Sequence, residues 1–232
     1  MLILGIDTSG KSGGITLAEG DAQSFRAVES CPILGGTFSA QLVPTIAALL
    51  ERHGHDAQDL DGFAVASGPG SFTGLRVGLS AVKGLAEVLN KPIMTVSLLE
   101  ALAVSSGHRG RIAAALDAGR SEIFWGVYQV SAEATAPISE KISEELLTRE
   151  AFLERLGNSG LDHAVTGDPT LAIFTLGAPA KERIHAVVRP TSEMIARIGL
   201  QKLLAGETVS VEALDANYIR RSDAEIFSKG RR

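Results

Sequence analysis

Apolar residues along this chain switch between two periods, and the switches outline its architecture. Leu2, Ile3, Leu4 and Ile6 form a short apolar run ending at Asp7, the pattern of a buried strand. Lys11-Ser12-Gly13-Gly14 supplies a turn and residues 15–18 a returning strand, so the two form a hairpin. A third strand is expected over 22–29. Phe38, Leu42, Ile46, Leu49 and Leu50 then recur at helical spacing. Pro44 sits near the first turn of that helix or kinks it, because it has no N–H to donate. Residues 63–67 read as a buried strand that runs into Gly68-Pro69-Gly70-Ser71-Phe72-Thr73-Gly74. A helix over 75–90 follows, with Thr73 as its expected N-cap. Strand 92–96 comes next, and Ser97-Leu98-Leu99-Glu100 has the form of a capping box opening another helix.

The pattern then restarts. Residues 112–116 read as a strand, Asp117-Ala118-Gly119-Arg120 as a turn, and 121–130 as a strand in which Ile123, Trp125 and Val127 alternate. Helical segments are expected near 143–156, strands at 163–166 and 184–188, and a helix over 191–204 stopped by Gly206. Two strand–acidic-turn–strand openings, at Asp7 and Asp117, point to an α/β protein of two similar halves. The expected division is 1–105 for the first half, 106–210 for a smaller second half, and 211–232 for a segment packing back on the first.

The helix over 75–90 carries more small residues than a surface helix needs. Leu75, Leu79, Val82, Ala86 and Leu89 form an apolar stripe, and Gly74, Gly78, Ala81 and Gly84 a second stripe beside it. Arg76, Ser80, Lys83 and Glu87 hold the polar face. Each helical Gly costs about 1 kcal/mol relative to Ala, so close approach of another backbone is expected to offset it. That backbone belongs either to a neighbouring helix of the same chain or to a second subunit.

Composition narrows the function classes. At 45% hydrophobic and 21% charged, the 232 residues describe an ordinary globular chain. A formal net charge of -5 argues against a chain that grips nucleic acid unaided, since phosphate neutralisation dominates such binding. The basic residues that do cluster are Arg220, Arg221, Lys229, Arg231 and Arg232. Cys31 is the only cysteine, so no intramolecular disulfide forms. The first residues lack the basic flank of a signal peptide, and no apolar run nears the roughly 20 residues of a membrane span. Cytoplasm is the expected compartment.

Candidate catalysts are few. The loop 68–74 lies between a strand and a helix start, where phosphates bind. Leu75-Arg76 follows it in place of the Lys-Ser or Lys-Thr of a Walker loop, and its third Gly comes one residue late for a dinucleotide fingerprint. A tight turn with close helix packing is the favoured expectation. Asp7 and Asp117 are candidates for a nucleotide or metal carboxylate, against the plainer role of turn aspartates. The histidines, 53, 55, 108, 163 and 185, show no i, i+4 pair for a metal. Cys31 has no basic helper nearby in sequence, and no Gly-x-Ser-x-Gly elbow is present.

At these residues the chain resembles the TsaB family, also called YeaZ. The likeness runs through Gly5-Ile6-Asp7-Thr8-Ser9 and is strongest from Ser67 through Gly68-Pro69-Gly70-Ser71-Phe72-Thr73-Gly74 to Leu79, continuing over Lys83-Gly84-Leu85-Ala86. Asp117-Ala118 with Glu122-Ile123-Phe124-Trp125, and Asn217-Tyr218-Ile219-Arg220, match two further segments. Phe38 stands where the family often has His, and Gly119 where it often has Arg. The resemblance implies an actin-like (ASKHA, ribonuclease H-like) fold of two halves with mixed sheets and flanking helices. It implies a non-catalytic scaffold and activator, with no metal and no resident cofactor, that partners a TsaD-like enzyme. That enzyme transfers threonylcarbamoyl to the tRNA adenosine next to the anticodon. A TsaE-like ATPase, a homodimer, tRNA bound only through the complex, and a nucleotide at the junction with TsaD belong to the same picture. TsaD-like proteins carry a His-x-x-x-His metal helix. Leu98 and Leu102 stand at the corresponding positions, and leucine cannot ligate. The expected partner interface is Leu42, Ile46 and Leu49 on one helix with Gly74, Leu75, Gly78, Leu79, Ala81 and Val82 on the other. Three rival functions remain: a small actin-like kinase or ATPase built on Asp7 and Asp117, a peptidase, and a homodimeric binding module with no tRNA role.

Overall fold

The computed structural model describes residues 1–132, 137–158, 160–175, 184–217 and 219. Tyr218 and the basic residues Arg220, Arg221, Lys229, Arg231 and Arg232 lie outside the described residues, as does most of the expected 211–232 segment.

The first sheet starts as an antiparallel meander of β1 (Leu2–Asp7), β2 (Ser12–Gly20) and β3 (Phe25–Leu34). Two crossovers, through α1 (Phe38–Arg52) and α2 (Phe72–Leu89), then lay β4 (Gly62–Gly68) and β5 (Ile93–Ser97) parallel to β1. The order is β3-β2-β1-β4-β5. Every residue of β1 and β4 is buried, as expected for strands covered by helices on both faces.

The second sheet repeats the plan. β6 (Gly110–Gly119), β7 (Glu122–Ala132) and β8 (Pro137–Thr148) form the meander, and β9 (His163–Thr166) and β10 (His185–Ala186) add in parallel. Its order, β8-β7-β6-β9-β10, matches the first sheet strand for strand. Two α/β lobes of one topology make the fold actin-like. The short helices α4 (Arg149–Asn158) and α5 (Pro169–Phe174) belong to the second lobe. Asp168 caps α5 by accepting from Thr170 N at 2.9 Å.

Between the sheets lies α3 (Leu98–Ser105), in which every residue from Leu98 to Val104 is buried. Leu98, Ala101 and Val104 pack with Ala64, Ala66 and Val96 of the first sheet. Leu99, Leu102 and Ala103 pack with Ile112, Ala114 and Val165 of the second. A helix apolar apart from Glu100 needs cover on nearly all sides, and here two sheets provide it.

The last helix, α6 (Ser192–Leu204), corrects the expected boundary at 210. Ile195, Ala196 and Leu200 join Ile3, Ala18 and Ala64, so α6 covers the first sheet and not the second. The approach is close: a methyl group on Gly199 would stand 2.2 Å from Ala64 Cβ. After α6, Val209 N donates to Ile93 O at 2.9 Å, and Leu214 and Ala216 enter the first-lobe core. Residues 192–216 therefore build the same lobe as the N-terminal strands, while Ile219 packs against the cluster of the second sheet.

Other local expectations also need correction. The N-cap of α2 is Ser71, which accepts from Gly74 N at 3.3 Å, and Thr73 is already helical. Ser97 caps α3 by accepting from Leu99 N at 3.2 Å, but Glu100 does not close a capping box; it reaches Lys202 Nζ at 2.8 Å. The helix expected from 143 starts only at Arg149, because Ser143–Thr148 is laddered onto β7 from Val127 to Glu122. Strand pairing overrides the helical preference of Glu144-Glu145-Leu146-Leu147 there. Pro44 lies inside α1, beyond its first turn. Pairing with β2 carries β3 on to Leu34, past the expected end at 29.

Candidate partner face and interlobe cleft

Two concave regions hold the residues singled out by sequence. The larger is a cleft of about 1510 Å3 between the lobes, walled by Ser9, Lys11 and the loop around Gly70 on one side and by Asp117, Asp168 and Arg189 on the other. Asp117 is exposed in it, with Oδ1 accepting from Gly119 N at 2.9 Å. Asp7 is 3% exposed and lies beneath the cleft; its Oδ1 accepts from Ser9 N at 2.8 Å and Ser9 Oγ at 2.6 Å. Each carboxylate thus organises its own turn. The turn after Asp117 has three consecutive left-handed residues, Gly119 (φ 69°), Arg120 (φ 55°) and Ser121 (φ 61°). Glycine fits the first of these without strain.

The glycine loop packs on the β1–β2 turn. Ser71 N donates to Ser9 O at 2.7 Å, and a methyl on Gly70 would lie 2.5 Å from that same oxygen. Gly68 adopts φ 115°, open only to glycine. The helix glycines continue the contact. Methyl groups on Gly74 and Gly78 would stand 2.1 Å from Thr8 O and 2.3 Å from Thr8 Oγ1. The backbone that the small stripe admits at these two positions is therefore β1's own exit, within this chain. Gly84 faces open space.

Most of the residues expected to meet a partner lie inside the first lobe. Leu42, Ile46, Leu49, Leu75, Leu79 and Val82 all belong to the first-lobe core, and Gly74 and Gly78 are buried on Thr8. Of the expected set Ala81 is half-buried, and Leu42 and Ala81 line the outer groove. The outer side of the same two helices carries a shallow groove of about 540 Å3, bordered by Ser39, Val43, Phe72, Thr73, Arg76, Val77 and Ser80. Val43 is 51% exposed and Phe72 43%. The Arg76 guanidinium lies 3.9 Å from the Phe72 ring centroid, a cation–π contact that shapes one rim. Sequence reasoning passed over Val43, Phe72 and Val77. The signal was present as apolar residues outside both stripes, but single exposed apolar residues are common on any surface.

The remaining candidates separate. Leu98 is 2% exposed and Leu102 fully buried, each packed against a different sheet. Cys31 gains a basic neighbour invisible in sequence, Arg52 Nη2 at 3.2 Å, yet burial and Glu29 push its thiol up, away from nucleophilic character. Arg52 and then His53 hold the Glu29 carboxyl down at about 2. His108 and His163 stack face to face at 3.8 Å between centroids and 12° between planes. Among the described residues no three His, Cys, Asp or Glu side chains converge as metal ligands, and no helix is long and apolar enough to cross a membrane.

Comparison with known proteins places this geometry. A family model described as TsaD: tRNA N6-adenosine threonylcarbamoyltransferase matches residues 34–166, which includes α1, α2 and α3. The tRNA threonylcarbamoyladenosine biosynthesis protein TsaB of Bacillus subtilis (strain 168) is 30% identical over 97% of this chain and 96% of its own length. The protein of the same description from Escherichia coli (strain K12) is 29% identical with the same coverage. The crystal structure of YeaZ from Pseudomonas aeruginosa superposes with a TM-score of 0.71 at 26% identity, covering 93% of this chain and all of that one. A second structure from that organism, described as similar to peptidase YeaZ, gives 0.73 over 94% of this chain. Near-complete coverage in both directions, a doubled actin-like topology and the intact 67–79 block make this chain a member of the TsaB (YeaZ) family, within the wider group of TsaD-type proteins.

Proposed function

We propose that this chain is a non-catalytic, cytoplasmic partner subunit in tRNA threonylcarbamoyladenosine biosynthesis, docking a TsaD-like enzyme through the outer face of α1 and α2. The observation that carries this reading is the partly apolar groove between the two helices, centred on Val43, Phe72 and Val77. The chain's acidic balance supports a role in which tRNA is met through the complex. A second copy of the chain offers the same face in the enzyme's absence, giving a two-fold homodimer. A TsaE-like ATPase would join the assembly through the enzyme.

The rival, a nucleotide-using enzyme working in the interlobe cleft, finds poor support in the residues present. Asp7 is turned into its own loop, the glycine loop is closed against Ser9, and Asp168 caps α5. These residues do not fit a magnesium nucleotide held within this chain, and the reading needs no resident cofactor. A nucleotide at the junction with TsaD is compatible with it.

Two measurements test the proposal. The substitutions Val43→Arg and Ser80→Arg place charge on the groove at exposed positions. Each should leave the monomer's melting temperature unchanged and weaken association with the TsaD-like protein of the same cell by roughly tenfold or more, as for loss of a central anchor. Normal association of both variants would refute the docking face. Steady ATP turnover by the purified chain with magnesium would refute the non-catalytic reading.

A further inference from the structure

Beside the cleft, on the seam where the lobes join, a second cavity of about 340 Å3 is lined by polar side chains from both. Two carboxylates organise it. Glu144 on β8 has a side chain 5% exposed and lies at the meeting point of three donors. Ser97 Oγ, at the end of β5, donates at 2.5 Å, and Asn217 Nδ2 donates to the other oxygen at 2.7 Å. The Tyr128 hydroxyl on β7 donates as well. Glu100, buried on α3, accepts from Ser139 Oγ of β8 at 2.8 Å and from Lys202 Nζ of α6 at 2.8 Å. Lys202 also donates to Thr95 O at 3.0 Å.

The arrangement has a direction. β8 is the edge strand of the second sheet; α4 of its own lobe packs on it through Leu147, but outside the sheet Glu144 and Ser139 bond to Ser97, Asn217 and Glu100, in the first lobe and α3. Asn217 is itself tied down, its N donating to Ser67 O at 2.8 Å where β4 leads into the glycine loop. Asn217 also lines the interlobe cleft, so one residue borders both cavities. The lobes also meet through the aliphatic residues of α3 and through Leu116, contacts that tolerate sliding better than directional bonds do. Burial and the neighbouring Glu144 charge push the Tyr128 phenol above its ordinary range, so it remains a donor at any physiological pH.

We infer that Glu144 and Glu100 form an interlobe latch that fixes the opening of the cleft by tying strand β8 to the first lobe and to the segment around Asn217. A charge-assisted bond is about twice as strong as a neutral one, and a buried carboxylate needs all its donors in place. The latch therefore has one low-energy geometry. Rotation of the lobes must break several bonds at once, and the chain holds its cleft at one width without a ligand bridging it.

The test reads lobe separation, not stability alone. Spin labels at Glu51→Cys on α1 and Glu154→Cys on α4, in a Cys31→Ser background, report the distance between lobes in the full chain. The unaltered latch should give a single narrow distribution. Glu144→Gln keeps the shape of the side chain but turns one acceptor into a donor facing donors, so the distribution should broaden or shift. Amide exchange over 209–217 should rise by roughly tenfold or more while β1 and β4 keep their protection. Asn217→Ala, which leaves the carboxylate its other two donors, should loosen the 209–217 segment alone. A folded Glu144→Gln variant with an unchanged distribution overturns the inference. So does a uniform rise in exchange across both lobes, because the network would then support the fold and not the angle between its halves.

Discussion

The seat of α2 on Thr8 can be tested with a pair of methyl groups. In Gly78→Ala the added carbon would stand 2.3 Å from Thr8 Oγ1 and 3.4 Å from Thr8 Cβ and Cγ2. Thr8 is 1% exposed, and its Oγ1 has no hydrogen-bond partner among the described residues. Overpacking costs about 1–3 kcal/mol. Replacing a helical Gly by Ala returns about 1 kcal/mol. The single variant should therefore be destabilised by about 0–2 kcal/mol, a range too close to zero to decide by itself. Thr8→Ala separates the terms. It deletes the atom in the way and an unbonded buried hydroxyl costing about 1–3 kcal/mol, against about 0.8 kcal/mol for the lost methyl. In that background Gly78→Ala should stabilise by about 1 kcal/mol, so its sign reverses and the coupling is about 1–3 kcal/mol. Gly74→Ala is the control. Its methyl would meet the Thr8 carbonyl oxygen at 2.1 Å, a backbone atom that Thr8→Ala leaves in place. It should destabilise in both backgrounds. Urea unfolding midpoints of the five variants and the parent give the cycle. If Thr8→Ala and Gly78→Ala add within about 0.5 kcal/mol, α2 does not ride on Thr8 and the argument fails.

Gly199→Ala should lower stability by about 1–3 kcal/mol, since its methyl would lie 2.2 Å from Ala64 Cβ, and Ala64→Gly should restore much of the loss; no rescue in thermal melts would refute the close seat of α6. Burial first, then the charges of His163 and His185, lowers the His108 pKa from 6.5, so the unfolded chain binds more protons around that pH and stability should fall as pH drops through about 6.5. His108→Phe should flatten that dependence, and equal slopes in urea midpoints measured on either side of pH 6.5 would refute it. Glu29, held by Arg52 and His53, should titrate near 2 by carbonyl NMR and return toward 4.5 in Arg52→Ala; a parent midpoint near 4.5 would show that the pair does not form in solution.

The lobes were legible because each strand announces itself by an apolar run and each turn by its own aspartate. Asp7 and Asp117 mark equivalent hairpins, and the matching strand orders follow from what comes after each. Boundaries failed where long-range pairing competes with local preference. Nothing within Ser143–Thr148 says that β7 lies alongside, so its Glu and Leu residues read as helix. The placement of α6 was equally hidden, because the glycines that admit it, Gly5 and Gly199, are far apart in sequence. Glu100 misled for the opposite reason. A Glu three residues after a Ser fits a capping box, and only the fold brings Lys202 close enough to draw it away.

The partner face shows how far periodicity reaches. Two buried-type stripes on one helix imply more contact than a single sheet face supplies. The aliphatic stripe lies in the core and Gly74 and Gly78 lie on Thr8, while Ala81 is half-buried and Gly84 faces open space. Gly74 and Gly78 are thus explained without a second protein, and a bulky side chain at Gly78 would strain the monomer. The docking face proposed above is the third face, where Phe72, Arg76 and Val77 meet Val43 of α1. That face mixes apolar and charged residues, so it falls below any threshold set on periodicity. Interfaces formed by chains that must also be stable alone have this composition, since a fully apolar face would drive indiscriminate association. Substitutions on this outer face and on the glycine stripe should therefore sort into two classes with little overlap, the first altering assembly of a stable chain and the second altering the chain itself.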